Sequence, residues 1–184
     1  MRSLLRLAHG VDRLNGRIGT GLRWLALVMV LIGAYNAVAR YVTRYADAQL
    51  SSNALNELQW YFFSVIFLLG AAYGLEQDVH VRVDVLYGRL TEEGRAWIDL
   101  LGSLLFLVPF SVLMLVVAWP AVMNSWSIRE TSPDPGGLPR YPIKALLVVS
   151  FGLLLLQGLA QAVKQVAILR GVEHGEGPHR EGHA

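Results

Sequence analysis

Four long stretches without a single charged side chain constrain this chain more than any other feature. They cover residues 24–39, 58–75, 100–128 and 145–163, and the apolar character of the first begins at Leu22. A helix needs about 20 mainly apolar residues to cross a hydrocarbon layer about 30 Å thick, and each stretch reaches that length with its flanks. Only 16% of all residues are charged and mean hydropathy is +0.42, so too few charges remain to cover a soluble surface. The expected fold class is an all-α integral membrane protein: four transmembrane helices preceded by an N-terminal amphipathic interfacial helix.

Period-two alternation is missing from the stretches, which are apolar on nearly every side, as lipid-embedded helices are and barrel strands are not. Trp24, Trp60, Trp97 and Trp119 lie near span boundaries, where indole rings favour the headgroup region. Pro109 falls inside the third span, where its missing donor predicts a bend. The expected segments are an amphipathic segment at 1–21, spans at 22–42, 56–76, 97–120 and 142–164, an interfacial connection at 77–95, an outer loop at 127–141 and a disordered tail at 171–184. Basic residues set the orientation: eleven lie in the N-terminal segment, the second gap and the tail, against five in the first and third gaps. Both termini are therefore expected in the cytoplasm.

At the N-terminus Leu4, Ala8, Val11, Leu14 and Ile18 recur at helical spacing, with Arg6, Arg13 and Arg17 on the remaining face. This predicts a helix lying on the membrane surface with its arginines toward lipid phosphates. The apolar run that follows is too long for a signal-peptide core and no small-residue cleavage pattern follows it, so the segment is expected to be retained. In the second gap Val79, Val81, Val83 and Val85 alternate with His80, Arg82 and Asp84. Two readings stay open there, a solvated linker and a segment docked on a partner. Thr91, with Glu92 and Glu93 behind it, predicts a helix cap and an acidic first turn. The outer segment 127–144 carries four of the seven prolines and a strong turn sequence at residues 134–137, and Pro142 suits the first turn of the last span. Arg129, Glu130 and Arg140 are expected to form an ion-pair cluster there, and the loop reads equally as a rigid connection or a contact surface.

No ionisable residue lies near the middle of a span, although such residues usually mark ion and substrate pathways. All five histidines lie outside the spans and there is no cysteine, so haem ligation within the bundle and thiol redox chemistry are excluded. No phosphate-binding loop and no nucleophile–base pair is present, so no catalytic residue, metal site or cofactor is expected and the chain is not read as an enzyme. The spans do offer small residues four apart, Gly70 and Gly74, Gly33 and Ala37, and Gly158 and Ala162, which let helices approach closely within the chain or against another subunit.

The stretch 56–86, NELQWYFFSVIFLLGAAYGLEQDVHVRVDVL, resembles the hallmark of the small membrane subunit (DctQ-like) of tripartite ATP-independent periplasmic (TRAP) transporters. Glu57, Gly70, Ala71, His80, Arg82, Val83 and Asp84 stand at the matching positions. The segments Glu130-Thr131-Ser132 and 139–144 resemble a subgroup labelled for mannitol or chloroaromatic compounds. The resemblance covers roughly residues 22–166. It implies a multi-pass protein of the bacterial inner membrane with a large permease subunit and a periplasmic substrate-binding protein as partners. Uptake of an organic acid would then be driven by a sodium or proton gradient that the large subunit uses. The chain would be its buttress. Partner or lipid contacts are expected at Glu57, Gly70, Gly74, His80, Arg82, Asp84, Arg129, Glu130, Arg140 and Lys144, with no nucleic acid involved. The rival reading is a stand-alone four-helix membrane protein, a small exporter or an assembly or anchor subunit. Small exporters usually carry an acid in the first span, where this chain has Asn36.

Overall fold

The computed structural model describes residues 1–45, 52–79 and 90–172, and its elements are all helical. They are α1 (Arg2–Thr43), α2 (Asn53–Glu76), α3 (Glu92–Gly102), a π-helical turn (Ser103–Leu107), α4 (Val108–Ser127) and α5 (Tyr141–Leu169). Four helical segments are long and apolar enough to cross a membrane, the third being α3, the π turn and α4 end to end.

All four spans outrun their expected boundaries, the first and third by the most. No break separates an interfacial segment from the first span: α1 runs through the expected 21/22 boundary as one helix of 42 residues. The reason is a packed face. Leu5, Ala8, Asn15 and Gly19 are buried and, with the half-buried Asp12, recur at intervals of three and four; the row shares Ala8 with the expected stripe but otherwise runs one residue out of step with it. Asn15 Nδ2 donates to Gln157 Oε1 at 2.7 Å, Gln157 Nε2 donates to Asp12 Oδ1 at 2.8 Å, and Lys164 Nζ lies 3.1 Å from both Asp12 oxygens. These bonds hold the segment upright against α5. In the third span the helix starts at Glu92, capped by Thr91 Oγ1, which accepts from the Gly94 N–H at 3.2 Å. It stays helical through its charged start because Ala96, Leu100 and Ser103 form a buried stripe.

Helix α5 is the centre of the assembly, touching α1, α2, α3 and α4. Helices α1 and α2 run antiparallel in one register: Gly19 faces Tyr73, Leu22 faces Gly70, Gly33 faces Gln59, and Asn36 Nδ2 donates to Asn56 Oδ1 at 2.6 Å. A Cβ at Gly19 would run into the Tyr73 ring, so close approach requires glycine there. Ser150 Oγ donates to the Leu68 carbonyl at 2.6 Å and joins α5 to α2.

On the other side of α5, Gly158 faces Leu107, whose Cδ2 would stand 2.8 Å from an added Cβ. That contact falls on the π turn. Pro109 comes two residues after it, and one wider turn accommodates a proline ring that would otherwise collide with the preceding turn. Ser111 Oγ donates to the Leu107 carbonyl at 2.8 Å.

Three helices stop in the same way. Asp78, Arg129 and Gly171 have φ of 58°, 47° and 64°. In each case the residue's own N–H donates three residues back and the next N–H five residues back, as in Glu130 to the Ser125 carbonyl at 3.0 Å. This is a Schellman ending, which satisfies the last carbonyls and reverses the chain.

Candidate functional site

The most organised polar construction lies where α2 begins and the 128–140 loop returns. Ser52 caps α2 by accepting from the Leu55 N–H at 3.3 Å. Asn53, Glu57 and Tyr61 then follow at intervals of four, which places them in one row up the helix. Each holds a different part of the loop. Asn53 Nδ2 donates to the Pro135 carbonyl at 3.1 Å, and Tyr61 Oη donates to the Pro139 carbonyl at 2.7 Å. Between them the Glu57 carboxylate accepts from Ser132 Oγ with one oxygen and from the Leu138 N–H with the other. Glu57 is only 4% exposed.

The loop has the shape of a short hairpin. Arg140 N–H donates to the Glu130 carbonyl at 2.8 Å, Ser132 N–H to the Leu138 carbonyl at 3.1 Å, and Gly137 N–H to the Asp134 carbonyl at 3.0 Å. Gly136 takes φ of 72° at the tip. Gly137 is required for a different reason: a Cβ there would clash with Ser132 and stand 2.8 Å from Glu57 Oε2. The carboxylate therefore reaches the loop backbone only because that position has no side chain.

The expected charge cluster is rearranged. Lys144 Nζ donates to Glu130 Oε2 at 2.5 Å, so Glu130 pairs with Lys144 and not with Arg129 or Arg140. The cause is α-helical geometry at the start of α5, which places Lys144 one turn beyond Arg140, while Arg140 meets Glu130 through its backbone N–H. The Lys144 hydrogen bond holds the Glu130 carboxyl below the usual carboxylate range. Arg140 Nε is buried without an acceptor, and exposed Arg129 occupies the left-handed position that ends α4. Beside the hairpin tip an open groove of about 620 Å³ is lined by Arg40, Thr43, Ser52, Asn53, Asn56, Pro135 and Gly136.

Of the residues singled out from sequence, the structure brings Glu57, Glu130, Arg140 and Lys144 together at this end and leaves Arg129 at its rim. Gly70 lies elsewhere, 3.8 Å from Leu22 by its would-be Cβ, within the chain's own α1–α2 contact. Gly74 is half-buried and its carbonyl accepts the Val79 N–H at the end of α2. His80, Arg82 and Asp84 lie outside the described residues. Asn53 and Tyr61 are additions; their spacing of four on either side of Glu57 was the signal. Among the described residues no group of three metal-ligating side chains converges.

Residues 22–167 match the family described as "Tripartite ATP-independent periplasmic transporters, DctQ component". No curated protein and no solved structure matches the chain.

Proposed function

The chain belongs to the DctQ component family of the tripartite ATP-independent periplasmic transporters, and from that premise we propose that it braces the large permease subunit during organic-acid uptake. As a small permease component it is a multi-pass membrane protein of a transporter rather than an enzyme. In this reading a periplasmic binding protein delivers the substrate, the large subunit moves it with a sodium or proton gradient, and the present chain stays fixed. The hairpin end faces outward and both termini face the cytoplasm, in keeping with the eleven-to-five basic bias.

The observation that supports a fixed role is the engagement of buried polar side chains within the chain itself. Glu57 is taken by the loop, Gln157 by Asn15 and Asp12, and Ser150 by the Leu68 carbonyl. Such groups act as cross-links between helices, whereas a transport pathway needs polar groups free to exchange partners. Glu57 then acts on the outer surface indirectly, holding a stiff hairpin toward the binding protein, and Arg129 and Arg140 supply the contacts. The His80-Arg82-Asp84 segment supports the large subunit from the inner side, while Gly70 serves the chain's own α1–α2 contact.

The test is uptake into proteoliposomes holding the three components, with a panel of two- to six-carbon organic acids and either a sodium or a proton gradient. Saturable, gradient-dependent uptake of at least one acid is expected. Uptake of neutral polyols in preference to every acid would overturn the substrate class.

A further inference from the structure

The first third of α1 has more surface than the bundle uses. Its packed stripe is Leu5, Ala8, Asp12, Asn15 and Gly19. One residue out of step runs a second stripe, Leu4, Leu7, Val11, Leu14 and Ile18, in which the leucines are 51%, 68% and 46% exposed. A third row, Arg2, Arg6, Arg13 and Arg17, is exposed throughout. None of these arginines makes an ion pair or a side-chain hydrogen bond with a described residue. Asp12 is the only acid in residues 1–23, and its carboxylate is taken by Gln157 and Lys164.

Helix α5 supplies a depth scale. Its lysines, Lys144 and Lys164, stand 20 residues apart, which at about 1.5 Å per residue spans about 30 Å, one hydrocarbon thickness. Each is tied to an acid, Glu130 at one end and Asp12 at the other. The second pair sets residue 12 of α1 at the membrane edge on the side of the termini. Arg13 therefore lies at that edge and Arg17 about 7.5 Å inside it, where a long side chain can snorkel back, while Arg6 and Arg2 lie about 9 and 15 Å outside it along the axis. A leucine row beside an arginine row at this depth matches acyl chains beside phosphates.

We propose that this face of α1 is a binding site for anionic phospholipid headgroups of the adjacent leaflet, with Arg2, Arg6, Arg13 and Arg17 on the phosphates and Leu4, Leu7 and Leu14 against the acyl chains. Four guanidiniums with no counter-charge among the described residues form a cationic strip that an anionic bilayer surface neutralises. Guanidinium pairs with phosphate through two parallel hydrogen bonds, which makes arginine the apt residue here. The site is a feature of residues 2–18, outside the matched 22–167, so it stands independently of the transporter reading.

Native mass spectrometry of the full chain in mild detergent tests this, with equal amounts of phosphatidylglycerol and phosphatidylcholine of identical acyl chains. The wild type is expected to retain phosphatidylglycerol with a preference of about tenfold, the worth of one or two basic side chains at an anionic surface. The variant R2Q/R6Q/R13Q/R17Q is expected to lose the preference, the corresponding four-lysine variant to keep most of it, and R40Q/R44Q at the opposite end to leave it intact. Far-UV circular dichroism confirms that each variant is folded. The proposal is overturned if the wild type shows no preference, if the four-glutamine variant keeps it, if the lysine variant behaves like the glutamine one, or if R40Q/R44Q abolishes it.

Discussion

Replacing Gln157 with leucine removes the side chain that joins α1 to α5. Gln157 is fully buried and uses both ends of its amide, accepting from Asn15 and donating to Asp12. In Gln157→Leu the Asn15 amide group, itself fully buried, loses its acceptor, which costs about 1–3 kcal/mol, and the hydrogen bond to an ionised Asp12 removes about 1.5–3 kcal/mol more. Burying leucine in its place returns about 1.5–3 kcal/mol. The net cost is about 1–3 kcal/mol. Side-chain hydrogen bonds between membrane helices average only about 0.6 kcal/mol, so the lower half of that range is expected. The second variant is decisive: in Asn15→Leu/Gln157→Leu no buried donor is left without an acceptor, and at least half of the loss should return. Thermal unfolding in detergent measures stability, and hydrogen exchange over residues 2–20 measures local detachment of α1. The reasoning is refuted if Gln157→Leu is neutral in both assays, or if the double variant is as unstable as the sum of the single ones.

Three further outcomes concern the hairpin end. In Glu57→Ala the Leu138 N–H loses its acceptor, so its exchange should rise at least about tenfold while the mid-span amides of α5 are unchanged; equal protection at Leu138 would show that the carboxylate does not hold the loop. Arg129→Gly removes a Cβ from a left-handed residue and should stabilise by about 1 kcal/mol, raising Tm by a few degrees, while weakening the dependence of uptake on binding protein. A lower Tm would contradict the helix ending described. Because Lys144 lowers the Glu130 pKa, their pair contributes stability that is present above the ordinary carboxylate pKa and lost as pH falls through the lowered one. Protection of the Arg140 amide should therefore hold from pH 7 to 5 and fall below about pH 4, and Lys144→Met should remove that step.

The four spans were legible because charge exclusion is a local property of the sequence, and so were the caps at Thr91 and the proline start of α5. The course of α1 was not. Asp12 and Asn15 belong to neither the apolar nor the arginine row read from spacing, and nothing local says that Gln157 and Lys164, some 145 residues away, will meet them. Of the stripe identified from spacing, Ala8 packs inward whereas Leu4 and Leu14 face outward, because the row one residue over contains the polar groups that find partners. At the hairpin, Glu57 carried a recognisable motif, whereas the pairing of Glu130 depended on which basic residue the first turn of α5 would bring round. One helical turn separates Lys144 from Arg140. The π turn was foreshadowed by Pro109, which announced a distortion but not its form.

Reconstitution with and without this chain tests the bracing role most directly. The large permease subunit is co-expressed with the tagged chain, purified through the tag, and compared in proteoliposomes with the large subunit alone and with this chain alone, each supplied with loaded binding protein. The account predicts that the large subunit co-elutes with the chain and that gradient-driven uptake requires both. Uptake by this chain alone, or undiminished uptake by the large subunit without it, would contradict the account.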